Sequence, residues 1–227
     1  MQQPSAVEAQ APEVRLVGRL AMEFEEVGAW LQLHFRRREA HSAAVEYVKA
    51  LLERAQRKNA WGLSEDAGHR APYNFQHLLL RPKWDADAVR DDVPEYARRE
   101  LGEGGILTVD ETGFLKKGEK SVGVARQYTG TAGKVENAQV GVFLSYMTHR
   151  GHALVERELY LPEPWTEDAA RREAGGIPNE VGFESKPALA QRMLQQILGA
   201  GPKPAWVVSD EVYGRDSTLR RFLEDLH

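Results

Sequence analysis

Two apolar segments of this chain each run directly into a pair of acidic residues. The segments and the acids that follow them are Ile-Leu-Thr-Val at 106–109 before Asp110 and Glu111, and Trp-Val-Val-Ser at 206–209 before Asp210 and Glu211. Segments rich in Val, Ile and Leu form buried strands, where an ionised carboxylate is costly unless a cation or hydrogen bonds compensate it. Two such strands lying side by side would bring their acids to one edge of a sheet, where they could share a divalent metal ion.

Composition limits the classes of protein to consider. With 227 residues, 42% hydrophobic and 28% charged, the chain can bury a sizeable core in one or two domains. The formal net charge of −4 means that any contact with nucleic acid must come from local basic patches. The absence of cysteine excludes disulfides and thiolate metal sites and fits the cytoplasm. No segment approaches the roughly 18 uncharged apolar residues of a membrane helix, so we expect no membrane partner.

The sequence changes character near Leu101. Before this residue apolar side chains recur at helical spacing, and after it strand patterns dominate. We therefore expect a flexible lead-in over residues 1–12, a helical N-terminal region over residues 13–102, and a sheet-containing domain over residues 103–227.

The N-terminal region contains three segments with the approximate spacing of a helix-turn-helix. They are residues 44–57, residues 63–67, which Gly68 closes, and residues 73–80. A helix-turn-helix would bind DNA. A plain helical bundle explains the same pattern, and the sequence does not separate the two interpretations.

The order of elements after Gly105 predicts the fold of the second part. It is a strand with Asp110, strands at residues 121–128, 139–146 and 153–161, an irregular stretch over residues 162–187, a helix from Pro187, the strand with Asp210, and a last helix from Asp216 or Ser217. A crossover helix is the usual connection between adjacent parallel strands. We expect an α+β or α/β fold, with the helical region followed by a ribonuclease-H-like mixed sheet and crossover helix. The strand at 153–161 would be an addition to that scheme.

Several short blocks in this part carry a family resemblance. Residues 109–118 read V-D-E-T-G-F-L-K-K-G and precede S-V-G-V-A-R-Q-Y at 121–128, with E-L-Y-L-P at 158–162, Lys186-Pro187 and S-D-E-V-Y-G at 209–214 further on. In this order, from about Trp61 onwards, the blocks resemble those of bacterial insertion-sequence transposases of the DDE superfamily. The resemblance implies an endonuclease that cuts and rejoins DNA, with two Asp and one Glu holding two divalent metal ions, usually Mg²⁺.

Carried over to this sequence, the resemblance implies that Asp110 and Asp210 are the first two catalytic, metal-binding acids, with Mg²⁺ or Mn²⁺ as the cofactor. The third acid of the family, a Glu, lies beyond the strand that follows the second Asp. This chain stops at His227, so we expect a catalytic domain that is incomplete at its C-terminus and inactive alone. Glu211 and Glu224 are carboxylates outside the family position.

The strand ends leave two questions open. Asp often ends a strand as a turn residue whose side chain accepts hydrogen bonds from nearby backbone N–H groups, with no metal involved. Neighbouring residues of a strand also face opposite ways, so the sequence does not show which acid of each pair points toward a shared site.

A basic stretch follows the first acid pair. Between Leu115 and Lys134 there are five basic residues against one acid, Glu119; the basic residues are Lys116, Lys117, Lys120, Arg126 and Lys134. Such a patch could bind the phosphates of DNA, from either the element ends or the target, although lysine-rich loops are often simply solvated.

Three functions remain open on sequence. The first is a two-metal transposase, and the second is a regulatory remnant that binds DNA or a full-length transposase, or associates with its own copies, without cutting. The third is an unrelated metal-dependent phosphohydrolase.

Overall fold

A computed structural model describes residues 12–80 and 84–226. The predicted lead-in over residues 1–12 lies, apart from its last residue, outside the described residues. The chain divides into two compact units, Met1–Val89 and Arg90–His227, and each is described here by itself.

The described part of the first unit contains four helices. They are α1 (Pro12–Gln32), α2 (Arg38–Leu52), α3 (Ala60–Asp66) and α4 (Tyr73–Leu80). Leu63 and Phe75 are fully buried against Ala50, and Leu31 and Leu78 pack with Ala43 in a second cluster. Asn59 caps α3 by accepting a hydrogen bond from the Gly62 N–H at 2.9 Å, as Asn favours at this position. The segment predicted at 73–80 is α4, whereas α2 and α3 begin several residues before the predicted segments 44–57 and 63–67.

Helix α5 spans Ala86–Leu101. The two units divide within this helix, between Val89 and Arg90, which is earlier than the predicted boundary at residue 102. Most of α5 belongs to the second unit, because Ala97 and Leu101 pack into the core beside Leu107. Pro94 lies inside this helix, and a proline in a helix interior is a strong signal against helix in a sequence.

A mixed sheet forms the centre of the second unit. Its strands are β1 (Ile106–Leu115), β2 (Ala125–Thr129), β3 (Lys134–Thr148), β4 (Gly151–Tyr160) and β5 (Trp206–Ser209). β1 lies between β3, which is antiparallel to it, and β5, which is parallel to it. β3 is long enough to pair with β2 near its start and with β4 along the rest of its length.

One strand expectation needs correction. The strand predicted at 121–128 begins only at Ala125, because Ser121 to Val124 form a turn closed by the Val124 N–H on the Ser121 carbonyl, with Gly123 at φ +80°. The strand predicted at 153–161 is present as β4, which pairs with β3 from Val140 to Thr148.

Helix α8 (Lys186–Ala200) connects the antiparallel strands to β5 and covers one face of the sheet. Leu189, Met193 and Ile197, spaced by four residues, are buried in the same core cluster as Leu107 and Val109 of β1. Each such side chain contributes roughly 1.5–3 kcal/mol when fully buried. The predicted crossover helix is therefore present.

Shorter helices complete the second unit. They are α6 (Glu163–Glu167) and α7 (Ala169–Gly175), which lie in the stretch predicted to be irregular, and α9 (Glu211–Gly214) and α10 (Ser217–Glu224), which follow β5. The result is a mixed helical and sheet protein. Within residues 12–80 and 84–226, none of the helices has the length and apolar character needed to cross a membrane.

Candidate functional site

Asp110 and Asp210 directly follow a pair of residues that lie opposite each other on two parallel strands. The register pairs Val109 of β1 with Ser209 of β5, and each aspartate is the next residue of its chain. Neighbouring strands lie about 4.8 Å apart, so the sheet brings these two residues together from distant parts of the sequence. The parallel pairing that the sequence predicts for the two acid-bearing strands is confirmed.

Asp110 does not end its strand, in contrast to the expectation from sequence. β1 continues through Asp110 and Glu111 to Leu115, because β3 pairs with it along that whole length. β5 does end, and Asp210 is the N-cap of α9. The pair therefore combines one residue within a strand with one at a strand-to-helix turn.

One oxygen of each aspartate is held by the backbone. Asp210 Oδ1 accepts hydrogen bonds from the N–H groups of Val212 at 2.9 Å and Tyr213 at 3.4 Å. Asp110 Oδ1 accepts one from the Glu111 N–H at 2.7 Å. Both side chains are exposed, and among the described residues the second oxygen, Oδ2, of each has no hydrogen-bond partner. The turn geometry weighed as an alternative is thus present, and it leaves one oxygen of each carboxylate for a further ligand.

Glu111 faces the other side of the sheet. It lies on the same face of β1 as Leu107 and Val109, toward α8, since residues two apart share a face. Its Oε1 is 2.6 Å from Lys186 Nζ, and its Oε2 accepts a hydrogen bond from the Tyr213 hydroxyl at 2.7 Å. The side chains of Glu111 and Lys186 are only 18% and 19% exposed. In the first acid pair, therefore, Asp110 is the exposed acid and Glu111 is engaged inside the protein.

The pKa of Tyr213 depends on burial and on the carboxylates around its hydroxyl. Burial raises the pKa of Tyr213, and the hydrogen bond to Glu111 raises this pKa further. The negative charges of Asp210 and Asp110 raise the same pKa, so both aspartates lie within electrostatic range of this hydroxyl. The phenol remains a protonated hydrogen-bond donor across the physiological pH range.

The donor set at this edge fits a hydrated divalent cation. Carboxylate oxygens are the ligands that Mg²⁺ prefers, and Mg²⁺ keeps several waters when one or two carboxylates bind it. Within residues 12–80 and 84–226, no three or more His, Cys, Asp or Glu side chains are grouped to hold a metal ion. Asp110 and Asp210 thus match a site in which two carboxylates provide the protein ligands.

The loop that carries most of the predicted DNA-binding residues begins where β1 ends. Asn137 of β3 donates hydrogen bonds to the carbonyls of Lys116 and Gly118 at 2.8 and 2.9 Å. Gln139 donates another to the Val122 carbonyl. These bonds give a glycine-containing loop a defined conformation, with Lys117 and Lys120 exposed and Lys116 half-buried.

The other two predicted DNA-binding residues lie on the strands that follow. Arg126 is exposed on β2. Lys134 forms an ion pair with Glu136 at 2.9 Å, and the hydrogen bond from Lys134 lowers the pKa of Glu136. Glu136 lies just beyond the segment over which charge was counted in the sequence, so the structure reduces the contribution of Lys134 to the basic patch.

Sequence reasoning gave no role to Lys186 and Tyr213. Both lie in the blocks that carry the family resemblance, which is the signal that could have identified them. Buried Glu156, 4% exposed, was also missed; it pairs with Arg90 at 3.1 Å, and burial raises its pKa.

A family model matches this chain across both acid-bearing strands. A family model described as DDE superfamily endonuclease matches residues 31–227. A Microchaete diplosiphon protein described as a probable transposase for insertion sequence element IS701 is 32% identical over 142 residues, which make up 62% of this chain and 34% of that protein. The matched part is about a third of the relative's length. No solved structure is significantly similar. Since the family match includes Asp110, Asp210 and most of the chain, the protein belongs to the DDE superfamily endonucleases.

Proposed function

We propose that this chain is an insertion-sequence transposase component with a ribonuclease-H-like catalytic domain, in which Asp110 and Asp210 jointly bind Mg²⁺ or Mn²⁺. The observation that carries the proposal is the adjacent placement of two exposed aspartates, each with an oxygen that has no hydrogen-bond partner among the described residues. The substrate is DNA, as the family and the relative's name suggest, and the site of action is the cytoplasm.

Each part of the site has a distinct task in this proposal. A bound metal ion would supply activation of a water or 3′-hydroxyl and stabilisation of the leaving oxygen. Asp110 and Asp210 would hold the metal ion in place, and the N–H groups of Val212 and Tyr213 fix the direction of the Asp210 carboxylate. Lys117 and Lys120, on the loop that β3 anchors, contact DNA phosphates.

A second candidate, binding of DNA without cleavage, is favoured by the partners of the remaining acids. Glu111 is paired with Lys186 and Tyr213, and Glu211 is paired with Arg215. Glu111 could complete a three-acid site only by leaving these two partners, whereas the exposed pair with Arg215 holds Glu211 weakly. In this version the chain holds DNA, or regulates a full-length transposase, through the same basic loop.

Thermal melting with and without Mn²⁺ tests the shared metal site. A ligand at 100 times its Kd that binds only the folded state stabilises it by about 2.7 kcal/mol. For a chain of this size, that corresponds to a rise in Tm of about 5–11 °C. Asp110→Asn and Asp210→Asn should each abolish the rise.

Asp216→Asn is the matched control. Asp216 is the N-cap of α10 and accepts hydrogen bonds from the N–H groups of Thr218 and Leu219, the same geometry that Asp210 has at α9. Its replacement should lower the Tm to a similar extent but leave the response to Mn²⁺ unchanged. Equal melting with and without Mn²⁺ for the unmutated chain would refute the metal site.

A further inference from the structure

A largely buried polar cluster lies on the α8 side of the sheet, close to the two aspartates. Its members are Glu111 of β1, Lys186 at the start of α8 and Tyr213 of α9. Both carboxylate oxygens of Glu111 are engaged, Oε1 by Lys186 Nζ at 2.6 Å and Oε2 by the Tyr213 hydroxyl at 2.7 Å. The cluster therefore links β1, α8 and α9 close to the candidate metal site.

Tyr213 contacts both acid-bearing strands at once. Its N–H donates to Asp210 Oδ1, and its hydroxyl donates to Glu111, the residue that follows Asp110. Its side chain is fully buried, so the ring has no room to adopt another position. A displacement of α9 relative to β1 would break the hydroxyl contact and turn the Asp210 carboxylate away from Asp110.

Lys186 fixes the orientation of Glu111. A largely buried carboxylate without a cation is unfavourable and would turn toward solvent. Lys186 follows the N-cap Ser185 of α8, and the next turn of that helix, from Leu189, is buried in the core. Its Nζ also lies 5.7 Å from the centre of the Tyr160 ring. Glu111 is thus held by a cation that is anchored on a rigid helix.

We propose that Tyr213 and Glu111 are positioning residues that fix the Asp210 carboxylate relative to Asp110, and that Lys186 keeps Glu111 in the orientation that accepts from Tyr213. The inference rests on the proposed metal site and adds roles for three residues that would touch neither metal nor DNA. Partners of metal-ligating side chains typically change metal affinity by 10–100-fold when they are removed.

The first test is Tyr213→Phe, read by titration of Mn²⁺ with electron paramagnetic resonance. The substitution keeps the ring and the Asp210 cap and removes the hydroxyl that reaches Glu111. We expect Mn²⁺ affinity to fall by about tenfold or more.

Tyr146→Phe is the matched control for that substitution. Tyr146 is another fully buried tyrosine, and its hydroxyl accepts from the Gly105 N–H and donates to the Gly102 carbonyl, near the start of β1. Its loss should lower the Tm while leaving Mn²⁺ affinity unchanged. A purely structural role for Tyr213 would give the same result in both variants.

The second test separates charge from shape at Glu111. Lys186→Met leaves the Glu111 carboxylate without its cation, and we expect Glu111 to move away from the Tyr213 hydroxyl, so that Mn²⁺ binding changes in affinity and in its spectrum. Adding Glu111→Gln removes that carboxylate and keeps an oxygen that can accept from Tyr213. The double variant should therefore return toward the unmutated spectrum.

The outcomes distinguish failure of the metal site from failure of the positioning roles. No Mn²⁺ binding by the unmutated chain would overturn the metal site itself. Binding by the unmutated chain that Asp210→Asn abolishes and Tyr213→Phe leaves unchanged would overturn the positioning role alone. A Lys186→Met spectrum identical to that of the unmutated chain would overturn the role given to Lys186.

Discussion

Gly113→Ala should disrupt the second half of β1, shortly after Asp110. A Cβ at this position would lie 1.8 Å from Thr129 Oγ1 and 2.4 Å from Thr129 Cβ. Thr129 is 2% exposed, so its side chain has little space into which to move. An ordinary contact between this Cβ and Thr129 Oγ1 needs 3.4 Å, so the two atoms would have to separate by about 1.6 Å more than the 1.8 Å present.

The expected cost follows from overpacking. Inserting a methyl group into a packed site typically costs about 1–3 kcal/mol, and we expect the upper end because Thr129 Cβ, at 2.4 Å, is bonded directly to the backbone and cannot move by side-chain rotation. For a chain of this size, 3 kcal/mol lowers the Tm by about 6–12 °C. Urea unfolding of the purified variant, with the Tm measured by circular dichroism, gives both quantities.

Gly118→Ala is the control, because no described atom lies within 4 Å of a Cβ at Gly118. Its stability should change by no more than about 0.5 kcal/mol. The cost of Gly113→Ala should shrink in a Thr129→Gly background, where both close atoms are gone. A Gly113→Ala variant as stable as the unmutated chain, or a cost that is the same in both backgrounds, would refute this account of the contact.

Two further predictions concern charge. Replacing Lys116, Lys117 and Lys120 with alanine should weaken duplex DNA binding in fluorescence anisotropy and reduce the salt slope by up to about 2.7, at about 0.9 per phosphate contact. Replacing Lys203, which precedes β5, together with Arg220 and Arg221 of α10 should change both much less. Burial raises the pKa of Glu156 above its ordinary value of 4.5, so its contribution to stability is complete below that value and is lost as pH rises through the raised pKa. Glu156→Gln should remove this decline from a pH series of urea unfolding curves, and an unchanged pH slope would contradict the assignment.

Sequence patterns predicted those helices and strands whose buried face follows from the spacing of apolar residues. The spacing of Leu189, Met193 and Ile197 located α8, and all three are buried. The helices that were missed have conflicting local signals. Pro94 lies inside α5, and α6 and α7 lie in a Pro- and Gly-rich stretch, where Asp168 accepts a hydrogen bond from the Arg171 N–H and caps α7.

The candidate site was only partly predictable, because its organisation depends on distant contacts. The neighbouring placement of Asp110 and Asp210 followed from apolar strands and a crossover helix. The orientation of Glu111 depends on partners 75 and 102 residues away, Lys186 and Tyr213. Alternation in β1 places Glu111 on the face of Leu107, but nothing local shows that a cation and a hydroxyl meet it there.

The most direct test of the central claim is the number of Mn²⁺ ions bound by the unmutated chain, Asp110→Asn and Asp210→Asn, measured by electron paramagnetic resonance. If the two aspartates share a metal ion, each single substitution should remove the same bound ion. Mn²⁺ binding that survives either substitution, or its absence from a folded unmutated chain, would contradict the account.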